Sequence, residues 1–251
     1  MMTYTDLILD LYGTLVDIRT DENSTVWQKT ALLFGYYGIA YTPQALRSDF
    51  AAALSQRQAQ AGQSYECYPD IPIEQIFSQL ANKNCPDTFG VQAAQLFRIC
   101  STKYIRLYPG VQSALQKLHD QGCRLWLLSN AQQVFTAFEL RHLGLEHIFD
   151  GVYISSDHGC RKPDLRFFRS LLDGENLDID RCLMIGNDRE TDIAGAQKAG
   201  LATLYLHSNI TPQGQPPADP ALHPLNAPAG CRNFEWEGTN WHRIYRLLQQ
   251  M

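Results

Sequence analysis

The chain has no block of lysine or arginine, no long apolar run and no closely spaced cysteine pair. Acidic residues outnumber basic ones, 26 to 21, and the net charge is −5. Neutralising a phosphate backbone needs clustered cations, so a nucleic-acid partner is not expected. No apolar stretch reaches the length that spans a bilayer, so no membrane partner is expected either. "MMTYTDLILD" puts no basic region ahead of a long apolar one, so the expectation is no signal peptide and a cytoplasmic protein. The seven cysteines (Cys67, Cys85, Cys100, Cys123, Cys160, Cys182 and Cys231) are odd in number and scattered. That argues against structural zinc and a disulfide framework and for reduced thiols. Oligomeric state is not legible.

With 45% hydrophobic and 19% charged residues over 251 positions, the composition is that of an ordinary globular chain. Its length allows one large domain, or a core with a smaller insert. Residues 5–12 read as a buried apolar strand. Residues 20–105 read instead as four or five helices, broken near Pro43, Pro69–Pro72 and Pro86. From Leu107 the texture alternates. "YPGVQSALQKLHDQG", "AQQVFTAFELRHLGL", "KPDLRFFRSLLDGENL" and "TDIAGAQKAG" have helical spacing. "CRLWLLSN", "FDGVYIS", "RCLMIGND" and "ATLYLHS" are apolar strands.

This alternation predicts an α/β fold whose parallel strands are joined by crossover helices. The expected organisation is a core made of residues 1–18 and 104–210, with a helical cap, 19–103, inserted after the first strand. A Pro-rich surface loop and a C-terminal helix, "NWHRIYRLLQQM", would fill 211–251.

Ligands of open parallel sheets bind beyond the carboxyl ends of the strands. Four such places carry polar residues. Asp10 ends the first strand, with Thr14 just after; Ser129 and Asn130 end another. Lys162 precedes Pro163 in a loop, and Asn187 and Asp188 end a further strand, followed by Asp192. Each has an ordinary structural reading beside a chemical one. Asp10 suits a turn cap or a nucleophile, with Gly13 allowing a sharp turn. Asn130 suits the cap of a helix starting near Ala131, and Ser129 suits a strand end or a donor to an anion. Lys162 is a solvated lysine, or the cation that neutralises Asp10 in a dry cleft. Asp188 and Asp192, four apart, are helix N-terminal acids or hard oxygen ligands suited to Mg²⁺. Arg189 and Glu190 read as solvated, or paired to the lysine or the cap.

Taken in order, Asp10-x-Tyr-Gly-Thr14, Ser129-Asn130, Lys162-Pro163 and Gly186-Asn187-Asp188-x-x-x-Asp192 resemble the four motifs of the haloacid dehalogenase-like hydrolase superfamily. The resemblance covers residues 5–207. It implies a Rossmann-like core and a helical cap of that superfamily's first type. It also implies Asp10 as nucleophile with Thr14 beside it, Ser129 and Asn130 on the transferring group, and Lys162 holding the nucleophile. A metal, Mg²⁺, is implied at Asp10, Asp188, Asp192 and the backbone carbonyl of Tyr12, with Tyr12 also beside the substrate.

One position departs from the phosphatases of that superfamily. They carry Asp where this chain has Tyr12, and use it as general acid and base. A tyrosine with an ordinary pKa of about 10 is a poor substitute, and such help is worth about 10²–10⁴-fold. Tyr at this position resembles the metal-free 2-haloacid dehalogenases instead, where a cap arginine is expected to grip the substrate carboxylate. Arg47 and Arg57 are candidates. The three aspartates decide for a Mg²⁺-dependent phosphatase of small phosphorylated metabolites, because their closeness calls for a cation. The alternatives are a 2-haloacid dehalogenase and a catalytically weak member that binds a phosphorylated ligand. The cap aromatics Trp27, Tyr36, Tyr37, Tyr65 and Tyr68 are expected to pack rather than touch substrate, and His158 to be a loop residue.

Overall fold

Asp6–Leu9 forms β1, near the middle of a six-stranded parallel sheet in a computed structural model that describes residues 3–62, 68–82, 85–227 and 229–251. Tyr65 and Cys67 lie outside the described residues. The chain leaves β1, runs along β2 (Val16–Thr20), and enters four helices: α1 (Ser24–Tyr36), α2 (Pro43–Gly62), α3 (Ile73–Leu80) and α4 (Phe89–Ser101). It returns along β3 (Thr102–Leu107), which pairs antiparallel with β2 as a two-stranded stem. Then come α5 (Val111–Asp120), β4 (Arg124–Ser129), α6 (Gln133–His142), β5 (Gly151–Ile154), the short α7 (Ser155–His158) and α8 (Leu165–Leu172). The last elements are β6 (Cys182–Gly186), a π-helical turn (Arg189–Ile193) running into α9 (Ala194–Lys198), β7 (Ala202–His207), β8 (Asn233–Glu237) and α10 (Trp241–Leu248).

The strand order is β5-β4-β1-β6-β7-β8, every neighbouring pair parallel. Successive side chains of a strand point to opposite faces, and the buried residues sort accordingly. Leu7, Leu9, Leu125, Leu127, Leu183 and Ile185 pack with Leu115 and Leu118 of α5 and Ile244 and Leu247 of α10. Ile8, Trp126, Leu128 and Met184 pack with Phe167, Phe168 and Leu171 of α8 on the other face. Each such side chain, fully buried, contributes about 1.5–3 kcal/mol. Leu9 lies level with Leu127 and Ile185, so β1, β4 and β6 finish within two residues of one another and deliver the residues that follow to one edge.

The four-helix insert has its own core of Trp27, Phe34, Phe77, Phe89 and Phe97. Edge-to-face contacts link them, such as Phe34 on Phe89 at 4.8 Å. Trp27 packs as expected, whereas Tyr36 is 82% exposed. Among the described residues no helix is long and apolar enough to cross a membrane. Among the described residues Cys85, Cys100, Cys160, Cys182 and Cys231 are thiols.

Several elements differ from the sequence reading. "TKYIRL", read as the end of a helix, is β3; its β-branched and aromatic residues pair with β2 rather than continue α4. The tail is more than loop and helix, because Asn233–Glu237 adds β8 to the sheet edge beside β7. β1 stops at Leu9, and Tyr12 forms only an isolated bridge to Val16. Helix α6 starts at Gln133 behind Gln132, so Asn130 caps nothing there.

Candidate active site

The residue after β1 is Asp10, whose backbone N–H still bonds to Ile185 of β6 at 3.0 Å. The turn that follows is tight. Gly13 has φ +90°, and a Cβ there would stand 2.2 Å from Asn187 Nδ2. Only glycine fits that conformation and that approach. Thr14 is fully buried, and its hydroxyl lies 3.2 Å from Asp10 Oδ2 and 3.4 Å from Asn187 Oδ1. The first and fourth motifs therefore share one polar seam.

Lys162 is no surface lysine: it is 1% exposed. Its ammonium donates to Asp10 Oδ1 at 2.8 Å and to Leu128 O at 2.7 Å, and stands 2.6 Å from Asp192 Oδ1. Burial alone would lower its pKa, but the two carboxylates outweigh that and raise it. Burial pushes the Asp192 carboxyl up, opposed by Lys162. Asp192 Oδ2 accepts the backbone N–H groups of Asn187 and Asp188, each at 3.0 Å. Gly186 makes room for it, since a Cβ at 186 would lie 2.4 Å from that oxygen.

The three aspartates expected at the site all line one cavity. The protein's own ammonium bridges two of them, Asp10 and Asp192. Asp188 turns its Oδ1 to the N–H groups of Glu190 and Thr191, capping the π-helical turn at 2.9 and 3.2 Å. Asn130 clamps the lysine's backbone from both sides, accepting from Lys162 N at 2.8 Å and donating to Lys162 O at 3.0 Å. The Ser129 hydroxyl is fully buried with no hydrogen-bond partner among the described residues.

A cavity of ≈ 220 Å³ opens over these groups, lined by Asp10, Tyr12, Asn130, Lys162, Asn187, Asp188, Thr191, Asp192, Ile210 and Pro212. Its oxygen donors suit a hard cation. Among the described residues no cluster of three His, Cys, Asp or Glu could hold a metal ion. A cation would thus rest on Asp10 and Asp188 together with neutral oxygens and water, a set that fits Mg²⁺. Both oxygens of Asp192 are already engaged.

Tyr12 donates its hydroxyl to Glu139 of α6, with Thr136 Oγ1 3.3 Å away. Burial, then the Glu139 charge, pushes its pKa well above the ordinary tyrosine value. Glu139 in turn holds Arg98 of α4 at 2.6 Å. Arg98 is the insert arginine that reaches the site; Arg47 is exposed on α2, and Arg57 bonds to Gln75 and Gln79 of α3. A second cavity, ≈ 290 Å³, is lined by Tyr12, Asp70, Arg98, Asn130, Ala131, Gln132, Phe135 and Arg161. Tyr68 lines a third beside Lys162, so this insert aromatic does face the site.

Other positions are resolved differently from the sequence reading. Arg189 bonds to Glu235 of β8 at 2.8 Å. His158 sits in α7 and stacks on Tyr153. Glu139, Arg98 and Arg161 carry no motif signal, and only the i, i+4 placement of Phe135 and Glu139 on one helix face was readable.

The family model for haloacid dehalogenase-like hydrolases matches residues 7–200. The glyceraldehyde 3-phosphate phosphatase of Methanothermobacter thermautotrophicus is 34% identical over 107 residues, 43% of this chain and 47% of that protein. The phosphoserine phosphatase of Thermus thermophilus is 32% identical over 116 residues, 46% of each. The chain spans about half the length of the curated relatives it matches. A HAD phosphatase from Thermococcus onnurineus has the same fold over 97% of each chain, with a TM-score of 0.57 and 16% identity. A dehalogenase structure with an intermediate complex aligns over 98% of each, with a TM-score of 0.56 and 18% identity. With the family model spanning both the Asp10 turn and the Lys162–Asp192 pair, the chain belongs to the haloacid dehalogenase-like hydrolase family.

Proposed function

We propose that the chain is a Mg²⁺-dependent phosphatase of small phosphorylated metabolites, with Asp10 as nucleophile. The observation that carries this reading is the setting of Asp10, ionically held by buried Lys162, backed by Thr14, and facing a cavity that also holds Asp188 and Asn187. A carboxylate oxygen of Asp10 attacks phosphorus, the bond from phosphorus to the leaving oxygen breaks, and that oxygen departs with the electron pair. Water then cleaves the aspartyl phosphate, releasing phosphate and a proton and restoring the carboxylate. Lys162 orients Asp10 through its ammonium, 2.8 Å from Oδ1. The Ser129 hydroxyl and the Asn130 side chain are assigned to the phosphoryl oxygens, Ser129 because its buried hydroxyl has no hydrogen-bond partner among the described residues. The metal, when bound, offsets phosphate charge; Asp10, the Tyr12 carbonyl and Asp188 would hold it, with Asp192 positioning Lys162.

Tyr12 has its hydroxyl committed to Glu139, so the leaving group takes its proton from solvent. The reading therefore favours leaving groups that depart readily as anions. The test is hydrolysis of p-nitrophenyl phosphate and acetyl phosphate with Mg²⁺, abolished by EDTA and by Asp10→Asn. Full turnover by Asp10→Asn would falsify the nucleophile assignment.

A second reading, a 2-haloacid dehalogenase, is favoured by Tyr12 and by the Lys162 bridge, which balances two carboxylates without a metal. It requires chloride release from 2-chloropropionate with EDTA present. Neither activity is expected of a member that only binds a phosphorylated ligand.

A further inference from the structure

Glu139 lies outside all four motifs yet gathers three groups at one carboxylate. It accepts the Tyr12 hydroxyl, and it accepts Arg98 Nε at 2.6 Å and Nη2 at 3.0 Å. Arg98 belongs to α4 of the insert, Glu139 to α6 of the core, and Tyr12 to the nucleophile turn. The guanidinium also lies over two rings, 5.2 Å from the centre of Tyr12 and 4.5 Å from that of Phe135. The Arg98 and Glu139 side chains are only 16% and 13% exposed. Fork-shaped, charge-assisted and largely desolvated pairs are the strong ones. Between the same two helices, Gln95 Nε2 donates to Val134 O at 3.1 Å.

The insert touches the core elsewhere too. Asp70 N bonds to Gly159 O at 3.1 Å, Arg161 N bonds to Tyr68 O at 3.0 Å, and Gln132 holds Asp70 and Ile73. The Arg98–Glu139 pair differs in running on, through Tyr12, into the turn that begins at Asp10.

We infer that Arg98 and Glu139 are positioning residues forming a latch, which holds the helical insert closed against Tyr12 and so completes the cavity wall beside the nucleophile. Tyr12 then serves this chain as the latch's core-side strike plate. Breaking the latch leaves Asp10, Lys162 and the phosphate-facing groups in place but populates an open insert. When binding needs the closed form, apparent affinity falls with the closed fraction, while substrate already bound is processed as before.

The experiment compares Arg98→Ala, Arg98→Lys, Glu139→Gln and Glu139→Ala with the unaltered chain, by kinetics on p-nitrophenyl phosphate and by small-angle scattering. Arg98→Ala and Glu139→Ala are expected to raise KM about tenfold with kcat within about twofold, and to enlarge the radius of gyration. Arg98→Lys and Glu139→Gln, which keep one hydrogen bond, are expected to fall between. Unchanged KM with superimposable scattering overturns the latch. So does a fall in kcat alone with unchanged scattering. The kinetic arm rests on the phosphatase reading; should the unaltered chain show no turnover, that reading fails and scattering alone decides the latch.

Discussion

Lys162 Nζ stands 2.8 Å from Asp10 Oδ1, and the same ammonium stands 2.6 Å from Asp192 Oδ1. Removing one member of a buried ion pair leaves the others uncompensated, at about 3–5 kcal/mol. Lys162→Met should therefore lower stability by that order and abolish turnover. Asp192→Asn keeps an oxygen for the two backbone N–H groups and should cost less. Urea unfolding of both variants checks this. Wild-type stability in Lys162→Met would mean that the bridge contributes nothing.

Asp17 fastens the stem of the insert. Its carboxylate accepts from Tyr104 at 3.1 Å, from Arg106 at 2.7 and 2.9 Å, and from Asn209, beyond β7, at 3.0 Å. Burial opposes ionisation, but the Asn209, Arg106 and Tyr104 hydrogen bonds outweigh it and hold the carboxyl below its ordinary value. A depressed folded pKa gives stability that is present above the unfolded value of about 3.9 and lost as pH falls through the folded one. Unfolding midpoints measured downward from about pH 5 should fall less steeply in Asp17→Asn than in the unaltered chain. Parallel curves would remove Asp17 from the acid response.

The parallel sheet was legible because buried strands are short apolar runs ending in polar residues, and "LILD", "LWLLSN" and "LMIGND" all show this. Strands β3 and β8 were not, because "TKYIRL" and "NFEWE" take their state from a partner strand far along the chain. The site residues were named by their places at strand ends, but their pairing was not. Spacing puts Asp188 and Asp192 on one turn; it says nothing of Lys162, whose loop arrives beneath β4 and gives its ammonium to Leu128 O. Arg98 and Glu139 stayed hidden for the same reason. Each looks like an ordinary charge on a helix until the insert folds back onto α6.

Gly186 should be as unforgiving as Gly13, for a different reason. Its backbone is not left-handed; the obstacle is Asp192, whose Oδ2 and Cβ would lie 2.4 and 2.5 Å from an added Cβ. Since Asp192 is tied to Lys162 and two main-chain N–H groups, it cannot swing away. Gly186→Ala should cost about 1–3 kcal/mol, as overpacking does, and should reduce kcat by displacing Asp192 from Lys162. An alanine variant with unchanged melting temperature and kcat would show that the fourth motif yields more than its hydrogen bonds allow.

The C-terminal helix reaches the turn after Asp10 through a side-chain bond. Trp241 is fully buried, and its indole N–H donates to the Thr14 carbonyl at 2.8 Å. Thr14 in turn donates to Asp10. Trp241→Phe keeps most of the apolar contact but strands a buried carbonyl, a loss of about 1–3 kcal/mol. The freed turn should let Thr14 drift from Asp10, so kcat should fall several-fold while KM changes little. Thermal unfolding and steady-state kinetics on one preparation check both parts. Stability loss without any change in kcat would confine Trp241 to packing and detach the tail from the chemistry.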